Sequence, residues 1–246
     1  IYTPSSERTF SAQELVDCVP NPHECGGSGG CQGATVELAF HWAQKSGLAK
    51  ESETPYTGSD GTCKKSTSKG TSDGGLLELG YGGHDDNSNE DVAAVGVHLA
   101  PTNSPARKFG MVGFERLPEN GYEALLRAIA ERGPVAISVA AKSWSSYGDG
   151  IFDSCGKDKV IDHAVALIGY GKEKGTGYYL VQNSWGKFWG EGGKIRILRR
   201  ESDEEACGMD KQPLLGTGCK GGPEEVKVCG PCGILYDNVV PLFKKP

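Results

Sequence analysis

The pattern of apolar and polar positions divides the chain into a short helical half and a longer strand-rich half. Ser11-Ala12-Gln13-Glu14 precedes Leu15-Val16 in the arrangement of a capping box, so a short helix is expected to start at Ser11 and run into Cys18. After a turn-rich stretch from Asn21-Pro22 to Gly30, the residues Ala34, Leu38, Phe40 and Trp42 fall within a helical pattern. That helix is expected at about 33–46, with Gly47 as its terminating residue. From Lys64 to Lys108 the chain is rich in Gly, Ser, Asp and Asn, with Leu76-Leu77 and Val92 to Leu99 as its apolar anchors, and it reads as a loop insertion.

Phe109 to Leu117 alternates like a strand. Gly121 to Arg132 is amphipathic through Tyr122, Leu125, Leu126 and Ile129, and Val135 to Val139 follows Gly133-Pro134 as a strand. Further strands are expected at Ala164–Gly169, Tyr178–Gln182 and Lys194–Leu198. The stretch after Cys207 carries three cysteines in thirty-nine residues and reads as a tail pinned by bridges rather than packed.

Composition narrows the classes. At 246 residues with 37% apolar content, the chain is long enough for a real core. No run approaches the roughly 18 apolar residues of a membrane span, and no secretory leader pattern opens it. The net charge of −6 and the absence of a basic stripe argue against nucleic acid as a partner. Nine cysteines and a first residue that is not Met lead us to expect the mature part of a longer precursor in an oxidising compartment, lysosomal, vacuolar or extracellular. An odd number implies one free thiol or one bridge that leaves the chain. His23, His41, His84 and His98 show no metal-ligand spacing and read as surface or loop residues; no metal and no cofactor are expected.

The chemistry concentrates in two apolar, strand-like stretches, Val160-Ile161-Asp162-His163-Ala164-Val165 and Gln182-Asn183-Ser184-Trp185-Gly186. A neutral imidazole that takes a proton from a thiol needs a third group to hold its tautomer, and an asparagine amide oxygen does this without adding charge. Cys229-Gly230-Pro231-Cys232 has the spacing of a thioredoxin-like redox site, but no βαβ pattern surrounds it, which favours a structural bridge.

Six blocks in order, Glu14–Cys18, Gly30–Ala34, Thr54–Tyr56, Gly133–Val135, Asp162–Val165 and Asn183–Gly186, resemble the papain-like (cathepsin-like) cysteine peptidases over residues 10 to about 208. The resemblance implies His163 as general base and later general acid, Asn183 as its orienting partner, and Trp185 as the indole that shields their hydrogen bond. It implies that Gly29–Ala34, with Gln32, Gly33 and Ala34, pairs with the substrate backbone, although Ala34 stands where the family has glycine. Phe188 and Trp189 match either the floor of the leaving-group side or plain core. Asp162 either biases the charge balance at His163 or is an exposed loop carboxylate. Bridges Cys18–Cys63 and Cys155–Cys207 are implied in the same way, leaving Cys25, Cys219, Cys229 and Cys232 unassigned among themselves. Cys31 matches a half-cystine whose partner lies just upstream of the family nucleophile.

The nucleophile is missing from the places where the family carries it. Cys25 and Cys31 lie at tempting distances before His163, yet neither has the aromatic neighbour or the helix start of the family's nucleophilic cysteine. The expected protein is therefore the heavy-chain-like portion of a peptidase acting on peptide or protein substrates, its thiol on a light-chain segment bridged through Cys31. The alternative is a pseudoenzyme that uses the groove only to bind. The expected fold is α+β with two lobes: an incomplete helical lobe at 1–105, a β-barrel-like lobe at 106–207 bearing His163 and Asn183, and a cysteine-bearing tail at 208–246 that returns across one of them.

Overall fold

Helix α1 (Ala12–Cys18) starts where the serine cap predicts, with the Ser11 hydroxyl accepting from the Glu14 N–H at 2.9 Å. The computed structural model describes residues 9–64, 96–156 and 158–244, so Leu76-Leu77 and His84 lie outside the described residues. The Glu14 carboxylate reaches away from the cap: it accepts from the Trp42 indole at 3.1 Å and from the Ala49 N–H, tying α1 to helix α2 (Val36–Ser46) and its exit. That helix ends at Gly47 with φ +68°, a conformation that costs a side chain energy and glycine little.

Among the described residues, helix α3 (Tyr122–Glu131) and ten strands follow. The strands are β1 (Gly96–Leu99), β2 (Met111–Arg116), β3 (Val135–Val139), β4 (Ile151–Phe152), β5 (His163–Glu173), β6 (Thr176–Gln182), β7 (Lys194–Arg199), β8 (Cys207–Asp210), β9 (Val226–Cys229) and β10 (Asp237–Phe243). Eight of them form one sheet in the order β1-β2-β10-β3-β5-β6-β7-β4, and β8 pairs with β9 alone. The region read as a loop insertion thus contains strand β1, whose His98 stacks on Phe114 with ring centroids 4.6 Å apart instead of lying in a loop.

The stretch after Cys207 is pinned by its bridges as expected, but it is also packed, contrary to expectation. Strand β10 inserts between β2 and β3, with Val239 opposite both Arg116 and Ala136. Ile234, Leu235 and Val239 have no exposure at all. The sheet therefore crosses the boundary drawn at Cys207, because chain ends with enough buried apolar surface join the core like any other strand. The main core gathers Leu125, Val135, Ile137, Leu167, Tyr179 and Ile197 between α3 and the sheet. A smaller cluster of Ala43, Ala106, Met111, Phe114 and Val239 seats α2 on β2 and β10.

At the edge of that smaller cluster two carboxyls meet one guanidinium. Arg116 Nε lies 3.3 Å from Glu37 and 3.4 Å from Asp237, and the Ser138 hydroxyl donates to Asp237 at 2.7 Å. Burial, with the Asp237 charge beside it, pushes the Glu37 carboxyl up to about 7 against the pull of Arg116. The folded chain thus keeps this proton well above the pH at which an unfolded glutamate, with a pKa of about 4.3, releases it. The resulting stabilisation is complete below that unfolded value and is lost as pH rises through about 7. A thermal melt is expected to lose on the order of a few degrees between pH 5 and pH 8, and Glu37→Gln to flatten that dependence. Equal slopes in the two proteins count against the assignment.

Candidate active site

His163 opens β5 and Asn183 follows the last residue of β6, its neighbour in the sheet. The antiparallel register sets Ala166 opposite Gln182. Continuing it by one residue brings Asn183 beside Val165, diagonal to His163 on the same face. His163 Nε2 lies 2.9 Å from Asn183 Oδ1. The Ser184 N–H donates to that same oxygen at 2.7 Å, which identifies it as the carbonyl end of the amide. A carbonyl oxygen only accepts, so Nε2–H is the donor. The lone pair of the neutral ring is left on Nδ1, free to take a proton.

The asparagine is itself held. Its N–H donates to Gly193 O at 2.9 Å, and the Gln182 amide donates to Asn183 O and to Gly193 O, each at 2.9 Å. The intervening turn closes through Gly193 N–H to Trp189 O at 2.8 Å. Gly186 in this turn adopts φ +85°. This hairpin brings Trp185 over the imidazole, with centroids 5.2 Å apart and planes inclined by 34°. Trp185 is exposed while Asn183 is buried.

A second indole was not anticipated. Trp144, fully buried, meets His163 edge-on at 6.4 Å and stacks on Trp189 at 6.4 Å. Its Nε1–H donates to Cys232 Sγ at 3.4 Å, so the C-terminal cysteines support the ring behind the histidine. Only the tertiary pairing of residues 88 apart reveals this contact. The alternatives left open for the neighbouring aromatics also separate: Phe188 is 94% exposed, whereas Trp189 packs on the main core. Asp162 is exposed but committed, its Oδ1 accepting from the Ala141 N–H at 2.9 Å.

The glycine-rich segment adopts a turn rather than the first turn of a helix. Gly30–Gln32 forms a single 3₁₀ turn, closed by Gln32 N–H to Gly29 O at 3.0 Å, and α2 begins only at Val36. Ala34 therefore lies before the helix, with Gln32 exposed and Gly33 half-buried. Gly29, Gly30 and Gly33 all have positive φ, a run that side chains would strain. Asn21 knits the segment together by donating to Cys25 O at 2.9 Å and to Gly27 O at 2.8 Å.

Every cysteine is accounted for. Four bridges are present: Cys18–Cys63, Cys25–Cys219, Cys155–Cys232 and Cys207–Cys229. The expected Cys155–Cys207 pair is corrected, for Cys207 lies opposite Cys229 in the β8–β9 ladder and Cys155 reaches Cys232 beneath Trp144. The Cys-x-x-Cys residues thus bond to two other partners and not to each other. Cys31 is the free thiol, exposed, with its N–H donating to Asp60 at 2.6 Å. Displacement of part of its hydration by neighbouring atoms, with the adjacent Asp60 and Asp17 carboxylates, holds this thiol above its ordinary pKa, the reverse of what a nucleophile needs. Among the described residues, no group of three or more His, Cys, Asp or Glu is arranged to hold a metal ion, and no helix is long and apolar enough to cross a membrane.

Known proteins resemble the chain along most of its length. The family model described as papain family cysteine protease matches residues 1–217. A KDEL-tailed cysteine endopeptidase of Arabidopsis thaliana is 35% identical over 206 residues, 82% of this chain and 45% of that protein. Vignain of Ricinus communis shows the same identity and coverage. The chain therefore spans about half the length of these curated relatives. Among solved structures, a Carica candamarcensis cysteine protease in complex with E-64 superposes with TM-score 0.60 at 29% identity, covering 96% of this chain and 78% of that one. The bromelain protease of Ananas comosus matches with TM-score 0.60 at 25% identity, over 96% of this chain and 79% of its own.

Proposed function

The chain belongs to the papain family of cysteine proteases, and we propose that it is the base-bearing, heavy-chain-like portion of a peptidase whose thiol resides on a segment outside this sequence. One observation carries this reading. The imidazole of His163 is set in the tautomer that accepts a proton, while eight of nine cysteines are bridged and the ninth sits beside carboxylates.

In the reaction, Nδ1 of His163 takes the thiol proton and the thiolate attacks the substrate carbonyl carbon. Collapse of the tetrahedral adduct breaks the C–N bond, and the imidazolium returns its proton to the departing amine. A water molecule, deprotonated by the same ring, then cleaves the thioester and regenerates thiol and acid. Asn183 keeps the ring oriented through both half-reactions, and Trp185 screens their bond from water. Gln32, Gly33 and Ala34 supply the backbone edge along which the peptide lies as an added strand.

The exposed thiol of Cys31 is the attachment point of the light-chain segment in this reading. Four disulfides fit an oxidising compartment, and a lysosomal, vacuolar or extracellular site is the setting we infer. Native protein treated with a thiol-reactive peptidyl probe is expected to carry the adduct on a polypeptide outside these 246 residues, released from them by reduction. An adduct on Cys31, or none anywhere, overturns the proposal; the latter favours a pseudoenzyme that only binds.

A further inference from the structure

Two disulfides start from one tight turn. Strand β9 ends at Cys229, and Gly230-Pro231-Cys232-Gly233 follows as a turn closed by Gly233 N–H to Gly230 O at 3.1 Å. Its base is fastened twice more: Gly230 N–H is shared between Asp203 O and Ala206 O, each at 3.1 Å, and Leu235 N–H donates to Cys229 O at 3.2 Å. Cys229 and Cys232 are 1% and 0% exposed, and both belong to the main core. Each nevertheless bonds away from the turn, Cys229 to Cys207 directly opposite it in the β8–β9 ladder and Cys232 to Cys155 just beyond β4.

The four sulfurs differ in what can reach them. Cys207 and Cys155 are half-buried, so a thiolate arriving from solvent meets one of these and not the turn. Attack at Cys207 frees Cys229 inside the core, three residues from Cys232, and closing so short a loop costs little chain entropy. Cys232 occupies the third position of the turn with φ +54°, a left-handed conformation that strains any residue with a Cβ and that its bridge to Cys155 helps to hold. The Ser143 hydroxyl lies 3.9 Å from Cys155 Sγ, placed to donate to that sulfur if it departs as thiolate.

We propose that Cys207 is a thiol-exchange site and that Cys229 and Cys232 form the pair that resolves it. An external thiolate attacks Cys207 Sγ, and the bond to Cys229 breaks with its electron pair left on Cys229. That thiolate attacks Cys232 Sγ and forms Cys229–Cys232, while Cys155 leaves and takes up the proton that the external thiol gave away. The number of S–S bonds is the same before and after, so the thiol is the only co-reactant. Its class is a small thiol without net negative charge, such as free cysteine, because the 3₁₀ turn Asp203–Glu205 sets the exposed Glu204 and Glu205 carboxylates just before Cys207. The exchange reaches the ring behind His163: Cys232 Sγ accepts from Trp144 Nε1–H at 3.4 Å, and its tie to the end of β4 is the bond that is lost.

The test maps sulfur connectivity in the full-length protein and needs no turnover. Free thiols are first blocked with one alkylating label, the native protein is treated with free cysteine, and new thiols are marked with a second label before peptide mass spectrometry. Second-label incorporation at Cys155 is expected to rise about fivefold or more over untreated protein, together with cysteine on Cys207 and a Cys229–Cys232 linkage. Two single variants, which lack the same bridge, separate exchange from general loosening. Cys207→Ser, with Cys229 free from the outset, is expected to expose Cys155 to the first label without added cysteine, and Cys229→Ser to leave Cys155–Cys232 closed. Cysteine on Cys207 with Cys155–Cys232 still intact overturns the inference, as does a wild type in which neither bridge opens, or equal labelling of Cys155 in the two variants.

Discussion

Replacing His163 with alanine in the full-length protein is expected to lower kcat/KM by roughly a thousandfold or more. In the proposed mechanism the ring accepts the thiol proton at Nδ1 and later protonates the leaving amine, so one substitution removes the group used in both half-reactions. Asn183→Ala leaves the imidazole in place but removes the oxygen that receives Nε2–H at 2.9 Å. Its loss is expected to be smaller and to fall on kcat more than on KM, because the ring then samples the wrong tautomer without any contact to the peptide being lost. Kinetics on a good fluorogenic peptide check both. A His163→Ala protein within tenfold of wild type is incompatible with the proposed chemistry.

Removal of residues 234–246 is expected to abolish cooperative folding, although the same stretch reads as a peripheral tail in the sequence. Ile234, Leu235, Val239 and Val240 are at most 1% exposed, and burial of four such side chains contributes about 6–12 kcal/mol at 1.5–3 kcal/mol each. A whole domain has a net stability of only about 5–15 kcal/mol. The truncation also strips β2 and β3 of the strand between them, exposing two rows of backbone groups in the middle of a sheet. Near-ultraviolet circular dichroism and a thermal melt report the outcome. A truncated chain with a native spectrum and a sharp transition within a few degrees of wild type contradicts the packing described for β10.

Local signals were legible where chemistry acts over a few residues. The serine cap of α1, the glycine exit of α2 and the apolar face of α3 depend on neighbours within one or two turns, and each element lies within a few residues of its expected place. The α+β papain-like class was legible as well, because six short blocks retain their order. Strand β1, inside a stretch read as loop, was not, since four residues with one polar face carry little signal without β2 beside them. The Cys18–Cys63 bridge implied by the resemblance is present, but the other cysteine pairings escaped for a related reason. Spacing alone leaves many connectivities open, and Cys155 finds Cys232 only after β10 and the preceding turn have entered the core.

The sequence by itself pointed to His163 and Asn183 as the proposed base and its partner, since both lie on strand-like segments within blocks that resemble the papain family. It also led to the proposal that the thiol lies elsewhere, because neither Cys25 nor Cys31 has the aromatic neighbour or the helix start of the family's nucleophile. Only the tertiary structure decided what packs behind that pair and how the distant segments meet: Trp144 backed by Cys232, the central place of β10, and the Cys25–Cys219 tether that brings Gly216 between Ile161 and Gly26. Those contacts join residues from 55 to 194 positions apart, where no local periodicity carries information and packing alone selects the partner.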